Sequence, residues 1–347
     1  MYDFILLTPH GSASNSVVSY LNQHPSLNVA PHAVVQRSLA DITAFERLLR
    51  PWVKVIGIMA KDYATPNISQ TILSAVPRST LVQMVRDPVE HFVSLCRSNQ
   101  MVASLSEILG KPAPQESVDQ FISTAVEKYI TPGKAANAYD AHTFKSHLVI
   151  DVSALRGAGS ESTIKELWKF FSVPQEVPNT KFKPLGSAPY HMLREFANHF
   201  VSFGNLEFHL AARLDGDLPW SITLSNSSFY GYEARLHSFP DARAIFPNGE
   251  ISEPLHIWAP GVSWSALPPS VRLPFAQKHV TAFVERLKLF NDAFGKAKQL
   301  VTFTVDDLTT SQREALKRGI GSDVEDFVRK HPAPTSAWKT TRQFLGG

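Results

Sequence analysis

Short apolar runs alternate along the first half of the chain with stretches whose apolar residues return every three or four positions. Phe4 to Leu7 is a compact apolar run of the kind that makes a buried strand. Val17, Val18, Tyr20 and Leu21 follow at helical spacing, and Asn22-Gln23-His24-Pro25 stops that helix. Ser26 to Pro31 reads as a short extended piece ending at His32, followed by a helix-like segment to Arg50. A second strand is expected over Trp52 to Met59, with Lys61 just beyond its end, and then a helix over Pro66 to Ala75. Thr80 to Val85 is the next β-branched run. It stops at Arg86-Asp87-Pro88, where Pro88 is suited to the first turn of a helix carrying Val89, Phe92, Val93 and Cys96 on one stripe. Residues 115–145 read as amphipathic helix, His147 to Val152 as a strand, and Ser160 onward as a helix with the stripe Ile164, Leu167, Trp168 and Phe171, ending before Pro174. Strands and helices in this alternation predict an α/β fold, a mostly parallel sheet with helices on both faces.

The pattern changes after Pro178. Residues 190–205 continue helical spacing through Met192, Leu193, Phe196 and Phe200. Residues 206–268 are rich in aromatics, Pro, Asn and Ser with alternating pieces, which predicts a β-rich insertion. Residues 272–297 and 309–331 return to helix, and Trp338 and Phe344 are aromatic anchors near the end. The expected organisation is a core over residues 1–185 and a helical and β-rich region over residues 186–347 packed on it. No internal repeat or low-complexity segment interrupts either part.

Composition narrows the class without naming a chemistry. The 347 residues are 44% hydrophobic and 19% charged, ordinary for a globular protein with a sizeable core. A net charge of +3 makes no case for a nucleic-acid surface, though it leaves room for local anion sites. The single cysteine, Cys96, allows neither an intrachain disulfide nor a cysteine metal cluster, and it falls on a helix stripe as a core residue would. No run approaches the roughly 18 apolar residues of a membrane span. The first residues lack the basic flank and apolar length of a secretion signal, so the expected location is cytoplasmic.

Two places carry candidate chemistry. The first is Thr8-Pro9-His10-Gly11-Ser12-Ala13-Ser14-Asn15-Ser16, a small, hydroxyl-rich link between a strand and a helix. Backbone N–H groups and a helix amino terminus in that arrangement can hold an anion, and a plain strand-to-helix turn fits the same residues. It is not a Walker A loop, since GxxxxGK[ST] and its lysine are absent. The second is Arg86, at the carboxyl end of a strand, with Ser94 about two helical turns on. A guanidinium and a hydroxyl there suit a phosphate, and a plain pairing of Arg86 with Asp87 or a helix end suits the residues equally. No His, Asp or Glu cluster has metal-ligand spacing, so no metal is expected.

Taken in order, these pieces resemble the sulfotransferases that use 3′-phosphoadenosine 5′-phosphosulfate (PAPS). Thr8 to Ser14 stands where that family has its 5′-phosphosulfate loop, and Leu21-Asn22-Gln23-His24-Pro25 is similar to its "LL-x-x-HP". Val85-Arg86-Asp87-Pro88, with Ser94 eight residues after Arg86, matches the R-[DN]-P-x5-S spacing of its 3′-phosphate motif. Val149 to Leu155, then a helix and Phe171-Ser172-Val173-Pro174, looks like its "Y-E-D-L … FLG-LP" segment. Ser336-Ala337-Trp338-Lys339 is faintly similar to bacterial relatives, and the main resemblance spans residues 1–185.

The resemblance implies a P-loop NTPase-like sulfotransferase fold and transfer of a sulfuryl group from PAPS to a hydroxyl or amine of a small-molecule or glycan acceptor. Cofactor contacts would come from His10, Gly11, Ser12, Ala13, Ser14, Arg86, Ser94 and Lys181, and the reacting end from His10, His32 and Lys61. Residues 186–347 would form the acceptor side. Two positions depart from the family pattern. His10 replaces the loop's Lys or Arg, and His32 stands eight residues after His24 where many members carry a glutamate base. A histidine near its ordinary pKa can act as a base or, protonated, as a cation. An altered, binding-only member of the family is the alternative these two residues raise.

Overall fold

Five apolar runs pair side by side as a parallel sheet. The structure is a computed structural model that describes residues 2–9, 14–22, 24–30, 53–61, 72–74, 76–112, 116–155, 159–175, 199–203, 206–214, 232–239, 255–260 and 268–346. The strands are β1 (Phe4–Thr8), β2 (Leu27–Ala30), β3 (Val55–Lys61), β4 (Thr80–Val85) and β5 (Ser146–Asp151), in the order β2-β3-β1-β4-β5. Every neighbouring pair is parallel, so each connection must cross over a face of the sheet. The crossovers hold α1 (Ser14–Leu21), α2 (Pro88–Ile108), α3 (Val118–Lys128) and α4 (Pro132–Ala138), and α5 (Gly159–Phe170) follows β5.

Side-chain alternation along the strands divides the core in two. Phe4, Leu6, Val82, Met84 and Ile150 join Val17, Leu21, Leu167 and Trp168 of α1 and α5 in one buried cluster. Val85, with Val149 half-buried beside it, joins Val89, Phe92, Cys96 and Phe121 of α2 and α3 in the other. The second cluster also takes in Leu316, Ile320, Val324 and Phe327 of a late helix, α7 (Thr310–Lys330), and Trp338 beyond it. A strand whose odd and even residues are both buried reads as a continuous apolar run, which is why these strands were visible by composition rather than by alternation.

Residues 1–99, 115–185 and 303–347 form one compact unit, and residues 100–114 and 186–302 a second. The second unit holds an antiparallel sheet in the order β6-β7-β9-β8 and a long helix. Its strands are β6 (His199–Phe203), β7 (Leu206–Leu214), β8 (Tyr232–Phe239) and β9 (Leu255–Pro260), and the helix is α6 (Pro269–Leu300). The last helix of the chain is α8 (Lys339–Leu345), in the first unit.

Three expectations are corrected. Helical spacing was expected through residue 205, yet residues 199–203 are strand, with Phe203 opposite Leu206. The sequence between them is Gly204-Asn205, a hairpin dipeptide, and cross-strand pairing outweighs the helical spacing of the phenylalanines. Lys61 is the last residue of β3 rather than a residue beyond it, because parallel pairing with β1 continues to Thr8 opposite Lys61. The helical stretch over residues 115–145 is broken at Thr131, where Pro132 opens a new helix instead of continuing the old one. Of the helix expected over Pro66 to Ala75, only residues 72–74 are described, and they are helical.

Candidate functional site

The topology singles out one end of two adjacent strands. The crossover after β1 leads to β2 on one side of it, and the crossover after β4 leads to β5 on the other. Since β1 and β4 are neighbours, the chain diverges at their carboxyl ends, the switch point where open α/β sheets bind ligands. Thr8 ends β1 there. It is fully buried, and among the described residues its hydroxyl has no hydrogen-bond partner. The chain re-enters the described residues at Ser14, the first residue of α1, whose amino-terminal N–H groups carry the positive end of the helix dipole. Lys61 lies opposite Thr8 in the β1–β3 register, so its backbone stands at the same end of the sheet.

Arg86 leaves β4 at this end, and Pro88 opens α2 two residues later. The guanidinium residue lines a cleft of about 30 Å³ with Asp87, Glu90, Asp151 and Ser153 and, from the end of the chain, Ala337 and Trp338. That volume admits a water or two. Ser94 is one turn beyond Glu90 on the same face of α2 and is not among the residues that line the cleft.

The carboxylates of the cleft are held by hydrogen bonds. Asp87 Oδ1 accepts from the Val89 and Glu90 backbone N–H groups, both at 3.1 Å, capping α2. The same oxygen accepts from the Thr341 hydroxyl at 2.5 Å, and Oδ2 accepts from the Thr341 N–H at 3.1 Å. Asp151, opposite Val85 in the β4–β5 register, accepts from Ser153 N–H at 2.6 Å and from the indole N–H of Trp338 at 2.5 Å. Thr340 donates to Glu90 Oε1 at 3.0 Å. Trp338 is itself fixed by an offset stack on Phe327, ring centroids 6.0 Å apart and planes within 8°.

The "HP" histidine has a structural task. His24 is 2% exposed, its Nδ1 accepts from the Ser26 N–H at 3.0 Å, and its Nε2 lies 2.9 Å from the Pro174 carbonyl oxygen. Those partners require the neutral tautomer with the proton on Nε2. Burial holds its pKa below the ordinary histidine value, against the raising effect of the Pro174 bond. The second and fourth stretches of the resemblance therefore meet in space. Cys96, inside the second cluster, has its thiol pushed up to about 12 by burial, an inert core residue.

Among the expected site residues, the structure brings Arg86 into the cleft, puts Ser94 on the adjoining turn and sets the Lys61 backbone beside β1. Ser14 is described in its backbone as the start of α1. His10, Gly11, Ser12, Ala13, His32 and Lys181 lie outside the described residues. Sequence reading did not single out Glu90, Asp151, Ser153 or Thr341 for this place. Asp151 and Ser153 stand in the recognised Val149 to Leu155 segment, so a signal existed, whereas nothing local marks Thr341. Among the described residues no group of three or more His, Cys, Asp or Glu is placed to hold a metal, and no helix is long and apolar enough to cross a membrane.

Neither a protein-family model nor a curated protein sequence matches the chain. Among solved structures, the chain is similar to a sulfotransferase from Alicyclobacillus acidocaldarius, with 18% identity and a TM-score of 0.37 over 56% of this chain and 91% of that one.

Proposed function

We propose that the chain is a sulfotransferase that moves a sulfuryl group from PAPS to a hydroxyl or amine of an acceptor, a glycan or glycolipid being the class to try first. The observation that carries this reading is the position of Arg86. An arginine in an R-[DN]-P-x5-S pattern leaves β4 at the switch point, beside the strand that feeds the small-residue link and α1. The buried Thr8 hydroxyl, which has no hydrogen-bond partner among the described residues and stands at the entry to that link, fits a polar ligand there.

In this reading Arg86 holds the 3′-phosphate with Ser94, and residues 10–14 with the start of α1 hold the 5′-phosphosulfate. PAPS would supply the activated sulfuryl group. The protein's part, as in phosphoryl transfer, is alignment and neutralisation of charge. His32 would take the acceptor proton, and His10 and Lys61 would face the charge that develops on the bridging oxygen.

Adenosine 3′,5′-bisphosphate tests the nucleotide half directly. At 100 times its dissociation constant it should stabilise the wild type by about 2.7 kcal/mol, and Arg86→Ala should abolish the thermal shift. No shift at millimolar nucleotide would sink the reading. A second reading, a protein that binds without transfer, is favoured by His10 and His32 at the reacting end. Labelled sulfate appearing on any acceptor in a screen with PAPS excludes it.

A further inference from the structure

We propose that Trp338, Thr340 and Thr341 are positioning residues of the Arg86 cleft, holding its three carboxylates so that they do not compete with an anion for the guanidinium. The proposal rests on the reading of Arg86 as a phosphate ligand. The cleft that contains Arg86 is lined by three acids, Asp87, Glu90 and Asp151. Three carboxylates beside one guanidinium make a poor phosphate site, because each repels the anion and each is a candidate partner for the arginine. Three residues within a four-residue stretch near the end of the chain answer all three. The Trp338 indole donates to Asp151, the Thr340 hydroxyl to Glu90, and the Thr341 hydroxyl and N–H to both oxygens of Asp87.

These donors are neutral, so they add no cation to the cleft. They restrain the carboxylates and take up lone pairs on the side chains that line the cleft with Arg86. Trp338 and Thr341 are 1% and 0% exposed, and a carboxylate so bonded has little freedom to swing. Asp151 has a donor on each oxygen, the Ser153 N–H on one and the Trp338 indole on the other. Removing the indole N–H while keeping an aromatic ring leaves that second oxygen without its donor in a cleft it shares with Arg86.

The test is a titration of adenosine 3′,5′-bisphosphate against single and paired variants, with thermal unfolding run beside each. Trp338→Phe should weaken binding about tenfold, and Trp338→Phe combined with Asp151→Asn should recover most of it, because a neutral amide does not draw on the arginine. Thr340 is half-buried and removes less packing: Thr340→Val should cost about two- to threefold, restored by Glu90→Gln. The losses should shrink as salt is raised. Unchanged binding in both single variants overturns the proposal, and so does a loss that the Asn or Gln partner fails to restore, since a purely structural role would not respond to carboxylate charge. If wild type and Arg86→Ala do not differ, the nucleotide reading falls and takes this proposal with it. If wild type binds and Arg86→Ala does not, while the Trp338 and Thr340 variants fail the pattern of loss and recovery, the positioning role alone is rejected.

Discussion

His24 shows how one side chain can tie distant parts of a chain. Its ring receives the Ser26 N–H and reaches the Pro174 carbonyl, and Trp168 meets it edge-on at 5.1 Å. Replacing it with alanine takes the partner from the half-buried Ser26 N–H and from the Pro174 carbonyl oxygen, and removes a buried ring beside Trp168. His24→Ala should therefore lower the free energy of unfolding by about 1–3 kcal/mol. Urea titration checks this: the midpoint should fall with the slope unchanged. A midpoint within experimental error of wild type would mean the ring is dispensable. In the sequence, Asn22-Gln23-His24-Pro25 was legible as a helix stop, and the resemblance gave the "HP" pair a family context. The partner was not legible, because Pro174 is 150 positions away and offers only a backbone oxygen. Arg86 is the opposite case. Its place at the end of β4 follows from local signals alone, an apolar run, an arginine and a helix-opening proline.

At the scale of elements, the central strand pair depends on a missing side chain. Phe4 of β1 lies opposite Gly57 of β3, and a Cβ added at Gly57 would sit 2.2 Å from the end of the phenylalanine ring. The ring also packs against Phe171, with centroids 4.2 Å apart. Gly57→Ala should thus displace Phe4 and cost about 1–3 kcal/mol, an overpacking penalty rather than a propensity effect. The double variant Gly57→Ala with Phe4→Leu should recover part of the loss in a thermal melt. Additive losses would show that the contact does not limit this strand pair. The parallel sheet was readable because buried strands are uniformly apolar and each is closed by a polar or proline signal. The β6 segment was misread as helix because phenylalanines recur there at helical spacing, and only the Gly204-Asn205 dipeptide argued otherwise. Local pattern loses to pairing where both patterns coexist in a few residues.

Over the whole chain, the last 45 residues, 303–347, belong with the sheet unit that the first residues begin. No sequence period announces this return, since it rests on single side chains such as Trp338 and Thr341. His331 lies within that closing stretch, immediately after α7. Its ring meets His147 of β5 edge-on at 5.2 Å and Phe327 at 4.6 Å. His147 Nε2 faces Gln83 Oε1 at 3.0 Å, and Gln83 in turn donates to the Pro132 carbonyl. Burial, with the neighbouring His331, lowers the His147 pKa to about 4, and burial with the Lys330 charge lowers His331 too. Both shifts have the same sign. A histidine depressed in the folded state is neutral there while the unfolded chain binds a proton, so its contribution is intact above about pH 6.5 and is lost as pH falls through about 4. For His147, with partial solvent access taken into account, the loss should be on the order of 2 kcal/mol. Carboxylates titrate in the lower part of the same window, so wild type alone does not isolate the pair. The measurement is unfolding free energy against pH for wild type and His147→Gln, an uncharged side chain able to keep a bond to Gln83. The variant should be the less stable at pH 7.5, and the two curves should converge or cross as pH approaches 4, because only wild type takes up the extra proton on unfolding. Parallel curves across that range would show that the half-buried histidine pair does not set the acid limit of the fold.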